Sequence, residues 1–126
     1  MALNKQKAFE AIKEIADQSS PSDIHMATTG YPEPEKFSYH GNFGAKKYLP
    51  DAVLDYDESC DIFSIEPSLS KKVLGESLHK WILFSASAKK KNGNLYLVID
   101  EEKKDDFEKI LKSKMISARL VPVKCD

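Results

Sequence analysis

The sequence predicts a three-layer α/β domain, in which a central mixed sheet is flanked by helices. Three observations predict it: apolar residues recur at helical spacing in 4–18 and 70–91, alternating residues between them form a hairpin over 50–66, and the chain ends as strand, helix and strand. A strand, helix and strand of this length implies a right-handed parallel crossover. The 126 residues are enough for one domain, 1–126, with a core of its own.

The N-terminal region begins with a helix. Asn4 is a suitable N-cap, and the apolar residues that follow form one stripe. Residues 19–36 are rich in Ser, Pro, Thr and Gly, which predicts a long loop that serves as a lid or a binding loop or is locally disordered. A short strand is predicted over 37–40, followed by a turn at 41–44. The residues of the helical stripe are Ala8, Phe9, Ile12, Ile15 and Ala16.

The hairpin carries the most informative pair of residues, Asp51 and Glu66. Folding it about a loop at 57–60 sets these two carboxylates opposite each other. Like charges so placed are destabilising unless they are neutralised, and Mg²⁺ would neutralise them. A hairpin slipped by one residue, with one acid pointing to solvent, is the alternative. In the predicted register Ala52, Leu54, Phe63 and Ile65 share one face, and Asp51, Val53, Ser64 and Glu66 share the other.

The C-terminal half alternates helices and strands. Ser68 or Ser70 can cap the helix that runs to about Lys91, and 92–94 is a helix-ending signal. Residues 95–99 form an apolar run typical of a strand that is buried on both faces. Asp100 then caps a second amphipathic helix. The last strand spans 118–123, and Pro122 within it predicts a sheet edge.

Composition narrows the functional classes. The 19 basic and 20 acidic residues give a net charge of −1, which argues against a protein that coats nucleic acid through a global positive field. Cys60 and Cys125 have no CxxC spacing and no nearby His pair, which argues against a structural zinc site. No stretch has the length and apolarity of a signal peptide or a membrane span. We therefore expect a cytoplasmic protein that does not bind membranes.

The order of these elements and their acids resembles the PD-(D/E)XK nuclease-like superfamily, whose core is a helix, a hairpin carrying the acids, a helix and a further strand. Pro50-Asp51 matches the family's Pro-Asp, and Glu66 matches its second acid. The family's lysine would stand two positions later, where this chain has Ser68. Some members carry a Lys-Trp pair on the next helix instead, as Lys80-Trp81 does here. The resemblance covers 49–123 well and implies a restriction-endonuclease-like fold.

The resemblance also implies hydrolysis of phosphodiester bonds in DNA by an endonuclease or exonuclease that depends on Mg²⁺, with Mn²⁺ as a substitute. Asp51, Glu66 and the backbone carbonyl of Pro67 would be the metal ligands. Lys80 lies at the border of the apolar stripe of its helix, where a long side chain can reach the end of the sheet, so we assign it the role of the catalytic lysine. An ordinary boundary lysine that extends to solvent is the alternative.

Further residues could contact nucleic acid, with DNA as the expected partner. Lys46 and Lys47 lie between aromatic residues, His40 precedes the turn near the site, and Ser68 takes the position of the missing lysine. Their alternatives are solvated surface lysines, a turn histidine and a helix cap. Residues judged outside the site are the solvated Glu10 and Glu14, the core residue Trp81, and His25 and His79, for which spacing identifies no partner. Asp55 is on the same hairpin face as the two acids but about two pairs away, so it could support the site only from a distance.

Two functional classes remain open at this point. One is an active nuclease, which the two acids favour. The other is a catalytically degenerate module that binds nucleic acid or a protein without hydrolysis, which Ser68 and the neutral charge favour. A domain this small has little surface left for reading a target sequence, so a homodimer or a partner subunit could supply it.

Overall fold

The computed structural model describes residues 3–41, 44–67 and 71–124, with the backbone alone at 39–41, 44–46 and 71–74. Its helices and strands alternate irregularly along the chain. The elements are α1 (Lys5–Ser19), β1 (Asp23–Met26), β2 (Phe37–Gly41), β3 (Gly44–Tyr48), β4 (Ala52–Asp55), β5 (Cys60–Ile65), α2 (Lys71–Lys90), β6 (Leu95–Asp100), a 3-10 turn (Glu101–Lys103), α3 (Lys104–Ser113) and β7 (Arg119–Val123).

Five strands form one mixed sheet in the order β1-β4-β5-β6-β7. The β1–β4 and β4–β5 pairs are antiparallel, whereas β5–β6 and β6–β7 are parallel. The buried residues of α1 pack on one face of the sheet, and those of α2 and α3 pack on the other. The prediction of an α/β domain with a mixed sheet covered by helices is therefore confirmed.

A separate two-stranded ribbon is made by β2 and β3. It lies against α2, where the ring of Phe37 meets that of Phe84 edge-on with 5.5 Å between the centroids. Tyr48 at the end of β3 belongs to the same apolar cluster. The strand predicted over 37–40 is thus present. The turn predicted at 41–44 falls partly outside the described residues.

The two faces of the β4–β5 hairpin divide as the alternation predicted. Ala52 and Phe63 pack in the cluster around α1, whereas Val53 and Ile62 pack in the cluster around α2. The predicted register, however, is wrong by two residues, because Ala52 pairs with Phe63 and not with Ile65. The physical reason is the turn: the N–H of Tyr56 donates to the carbonyl of Ser59 (2.8 Å), which centres the loop on 56–59.

The loop predicted over 19–36 is also wrong, because it contains the edge strand β1. This strand has four residues, and only Met26 among them is fully buried. An edge strand has one neighbour and one protected face, so its sequence carries no alternation long enough to recognise. At the opposite edge, β7 pairs with β6 alone among the described strands, and the edge position predicted from Pro122 is confirmed.

The helix ends follow the predicted capping residues. The side chain of Asn4 accepts from the N–H groups of Gln6 (2.8 Å) and Lys7 (3.4 Å), and Asp100 accepts from Glu102 (3.0 Å) in the 3-10 turn that leads into α3. The caps predicted at Ser68 and Ser70 lie outside the described residues.

The C-terminal end of α2 is fixed by glycine. The N–H of Gly93 donates to Ala88 (2.8 Å), and a Cβ at this position would lie 1.7 Å from the carbonyl oxygen of Cys60. Within the described part of the chain, none of the helices combines the length and apolarity needed to cross a membrane.

Candidate functional site

Glu66 is a buried carboxylate at the end of β5. Its N–H donates to Val98 in β6 (2.9 Å), which continues the parallel ladder by one residue and fixes the backbone. Its side chain is covered by α2, and the residue is 4 % exposed. The carboxylate accepts from the indole N–H of Trp81 (2.6 Å) and from the ammonium of Lys80. The carboxylate of Glu66 is therefore almost excluded from water, whereas the side chain of Lys80 remains partly exposed.

Lys80 points its ammonium at Glu66, as the helix phase predicted. The Nζ atom lies 3.1 Å from Oε1 and 3.1 Å from Oε2. The neighbouring Trp81 is 1 % exposed, so the pair straddles the border between the apolar stripe of α2 and the end of the sheet. A lysine in that position can lie along the core and present its charge at the rim. The catalytic role of Lys80 stays a prediction.

Asp51 lies directly before β4 and is held by β5. Its N–H donates to the carbonyl of Phe63 (2.9 Å), although the residue that pairs with Phe63 in the sheet is Ala52. Its Oδ2 atom accepts from the N–H of Ile65 (2.6 Å). Such a local irregularity redirects a side chain at the end of a strand. Asp51 is therefore not the cross-strand partner of Glu66, and the predicted direct opposition of the two acids is wrong.

Asp51, Glu66 and Lys80 nonetheless interact electrostatically. Burial raises the pKa of the Asp51 carboxyl, while the hydrogen bond from Ile65 and the charges of Lys80 and Lys5 act to lower it. Burial likewise raises the pKa of Glu66, Lys80 and Trp81 act to lower it, and the charge of Asp51 raises it further by a small amount. Loss of water contributes more to the raised pKa of Glu66 than repulsion between the acids does.

Two unpaired hydroxyls accompany these groups. Ser64 is 1 % exposed, and among the described residues neither its Oγ atom nor the hydroxyl of Tyr48 has a hydrogen-bond partner. By strand alternation Ser64 lies on the same face of β5 as Glu66. Tyr48 and Lys80 line an open depression of about 280 Å³ together with Glu76 and Ser77. Buried hydroxyls without partners are uncommon, so a polar ligand bound here could supply the hydrogen bonds that these two hydroxyls lack within the described residues.

The structure places some of the other predicted site residues and leaves the side chains of others undescribed. Pro67 follows Glu66 and is exposed, and Lys47 is exposed on β3. His40 and Lys46 occupy backbone positions in β2 and β3, and their side chains are not described. Ser68 lies outside the described residues, so its predicted contact with nucleic acid stays a prediction. Glu10 and Glu14 are both exposed on α1, as expected.

A second cluster was missed at the level of the sequence. One ligand atom each from Asp23, His25 and Asp55 lies within 4.8 Å of the others, so these three residues could hold a metal ion. The spacing of residues in the sequence identified no partner for His25, and the structure supplies one, because its Nε2 atom is 2.9 Å from Oδ2 of Asp23. The sequence contained one signal, a histidine two residues after an aspartate, but that spacing places both on one face only if the segment is a strand.

No protein-family model matches the chain, and neither a curated protein nor a solved structure shows significant similarity to it.

Proposed function

We propose that this chain is a Mg²⁺-dependent nuclease that hydrolyses phosphodiester bonds in DNA, with Asp51, Glu66 and Lys80 as its catalytic residues. The central observation is the buried contact between Glu66 and Lys80, with Asp51 close enough to influence both electrostatically. The order of helix, acid-bearing hairpin, helix and strand supports the same proposal, since the PD-(D/E)XK resemblance implies that order and the restriction-endonuclease-like fold.

The available donors fit a hard divalent cation. Asp51 and Glu66 offer carboxylate oxygens and Pro67 offers a backbone carbonyl, and Mg²⁺ binds oxygen ligands and keeps several waters. The Ser64 hydroxyl, which is on the same face as Glu66 and has no partner within the described parts of the chain, can bond to such a water. When bound, the ion would polarise the phosphate and lower the pKa of a coordinated water. Mn²⁺ accepts the same oxygen donors and should substitute for Mg²⁺.

The chain's own residues would position and stabilise the reacting phosphate. Lys80 has three N–H donors, so it can keep a bond to Glu66 and donate another to a phosphate oxygen. Because its surroundings are largely shielded from water, that charge stabilises a developing negative charge more strongly than an exposed lysine could. The hydroxyl of Tyr48 borders the same depression and has no partner among the described residues, so it offers one further donor.

DNA would approach over the ribbon formed by β2 and β3. Lys47 is exposed there, next to Tyr48, which lines the depression. Phosphate contacts of this kind supply affinity and register without reading sequence. Lys46, His40 and Ser68 are proposed to extend this contact.

A second candidate function is a module of the same fold that binds nucleic acid or a protein without hydrolysis. The observation that favours it is that both carboxylate oxygens of Glu66 already have protein partners, in Lys80 and Trp81. A carboxylate satisfied in this way can serve the structure alone, as buried ion pairs often do. The two candidates differ in whether a cation binds and whether DNA is cut.

The experiment combines calorimetry with cleavage. The full chain is titrated with Mg²⁺ and with Mn²⁺, and supercoiled plasmid and single-stranded oligonucleotides are incubated with each metal. The nuclease proposal expects metal binding and cleavage in the wild type, and loss of both in Asp51→Ala. Lys80→Met should lose cleavage while it keeps metal binding. Asp106→Asn, which alters an exposed acid of α3, is the matched control and should behave as wild type.

Two outcomes would count against the proposed nuclease site. Cleavage that persists in Asp51→Ala and Lys80→Met would come from a contaminant or another site and would exclude the proposed one. A wild type that binds neither metal and cuts neither substrate, but retains DNA in a filter assay, would favour the binding module.

A further inference from the structure

Three neighbouring strands align polar side chains at the end of the sheet remote from Glu66. The register pairs Asp23 of β1 with Asp55 of β4, and Asp55 in turn with Cys60 of β5. His25 follows Asp23 by two positions and pairs with Val53, which packs in the cluster around α2. Because side chains alternate along a strand, these groups share the face of the sheet that α2 covers.

The histidine makes this cluster more than a group of surface acids. Its Nε2 atom lies 2.9 Å from Asp23, and its Nδ1 atom is shielded from water without a hydrogen-bond partner among the described residues. Two carboxylates directly opposed across strands repel each other unless a positive charge lies between them. The imidazole can provide that charge only when protonated, whereas a cation bound by all three groups would neutralise both acids and use a ring nitrogen as a ligand.

A cavity gives access to the cluster. It has a volume of about 240 Å³, and its lining includes His25, Asp55, Glu35, Phe37 and Lys91. A cation held by the three residues would therefore retain an open coordination position toward the cavity. That position could take water or the carboxylate of Glu35.

We propose that Asp23, His25 and Asp55 form a Zn²⁺ site that joins the edge strand β1 to β4 and opens toward this cavity. Imidazole with carboxylates is a donor set suited to Zn²⁺, whereas Mg²⁺ prefers oxygen ligands alone. Three protein ligands with an open fourth position are typical of zinc sites that bind a water or a small anion. The sequence argued against zinc on the evidence of its cysteines, and this site needs no cysteine.

The zinc site is separate from the proposed nuclease site. Asp51 directly precedes β4 and Asp55 ends it, and four residues correspond to roughly 13 Å in an extended chain. The two sites also differ in donor chemistry, since the proposed Mg²⁺ ligands are all oxygen atoms and the zinc ligands include an imidazole nitrogen. Zinc binding can therefore be measured in the presence of excess Mg²⁺.

The test titrates the metal-free full chain with Zn²⁺ by calorimetry in excess Mg²⁺ and records thermal unfolding with and without Zn²⁺. We expect one equivalent to bind and to raise the unfolding temperature. His25→Gln should weaken zinc binding by at least about a hundredfold and abolish the thermal shift, given that even outer partners of metal ligands contribute ten- to hundredfold. Asp23→Asn should weaken binding as well, and it serves if circular dichroism shows that His25→Gln does not fold.

Two controls test the location of the site. Asp51→Asn removes an acid of the proposed nuclease site, and Asp57→Asn removes an exposed acid of the hairpin loop close to Asp55. Both should bind Zn²⁺ as the wild type does. Absence of zinc binding in the wild type, unchanged binding in His25→Gln and Asp23→Asn, or loss of binding in Asp51→Asn would overturn the proposal.

Discussion

Substituting Lys80 by methionine tests whether the charge of Glu66 depends on its ion pair. Methionine keeps an unbranched apolar side chain and removes the ammonium. Glu66 is 4 % exposed, so among the side chains that the structure describes its carboxylate would be left with the indole N–H of Trp81 as its donor. Removing one partner of a buried pair costs about 3–5 kcal/mol. The Lys80 side chain is 22 % exposed, which favours the lower end, about 3 kcal/mol and roughly 12 °C in Tm for a domain of this size.

The loss should depend on pH in a defined direction. Burial already raises the pKa of Glu66, and the charge of Lys80 is the largest influence that lowers it, so the variant should raise that pKa further. A group with a raised folded-state pKa contributes stability that is fully present below its unfolded pKa and is lost as pH rises through the folded pKa. Wild type and Lys80→Met should therefore approach each other in stability at acidic pH and diverge at neutral pH.

Urea unfolding at neutral and at acidic pH measures this difference. Lys80→Met combined with Glu66→Gln closes a double-mutant cycle, in which the neutral glutamine should recover most of the loss seen at neutral pH. Lys109→Met, at an exposed position of α3, controls for the substitution itself and should change stability little. A loss that is equal at both pH values, together with additive single variants, would refute the dependence of Glu66 on Lys80.

Two further predictions concern packing and metal binding. Gly93→Ala should destabilise the protein by about 3 kcal/mol or more in urea unfolding, because the new Cβ would overlap the Cys60 carbonyl at 1.7 Å, whereas Gly75→Ala meets nothing within 4 Å and should stabilise α2 by about 0.5–1 kcal/mol. Equal effects of the two substitutions would contradict the close approach at Gly93. Mg²⁺ at about a hundredfold its Kd should stabilise the wild type by about 2.7 kcal/mol in thermal unfolding at neutral pH and leave Asp51→Asn unchanged. A wild type indifferent to Mg²⁺ would exclude the metal at Asp51.

Local periodicity explains which parts of the site could be predicted. The direction of Lys80 depends on the phase of one helix, and about 100° per residue suffices to place it at the border of the apolar stripe. The division of the hairpin into two faces depends on alternation, which survives a register shift of two residues. For that reason Val53 and Phe63 lie on their predicted faces although the predicted pairs are wrong.

The relation between Asp51 and Glu66 could not be derived in this way. It depends on where the turn closes and on a local irregularity in which the Asp51 side chain accepts the N–H of Ile65. Four-residue loops centred on 56–59 or on 57–60 bury the same apolar residues, so hydrophobic patterning does not distinguish them. The hydrogen bond between Tyr56 and Ser59 decides between them, and turn propensity alone does not predict it.

The cluster of Asp23, His25 and Asp55 could not be predicted from the sequence for a different reason. Asp55 is about thirty residues from Asp23 and His25 in the chain, and the three residues meet only because β1 pairs with β4 and not with β2, the next strand in sequence. The intervening ribbon of β2 and β3 forms its own sheet, which brings His25 next to the hairpin that carries Asp55. Predicting a site assembled across a sheet thus requires knowledge of the strand order, whereas predicting the direction of Lys80 required only the phase of its own helix. The proposed zinc site consequently requires the β1–β4 pairing. Loss of zinc binding in His25→Gln would support both that pairing and the site.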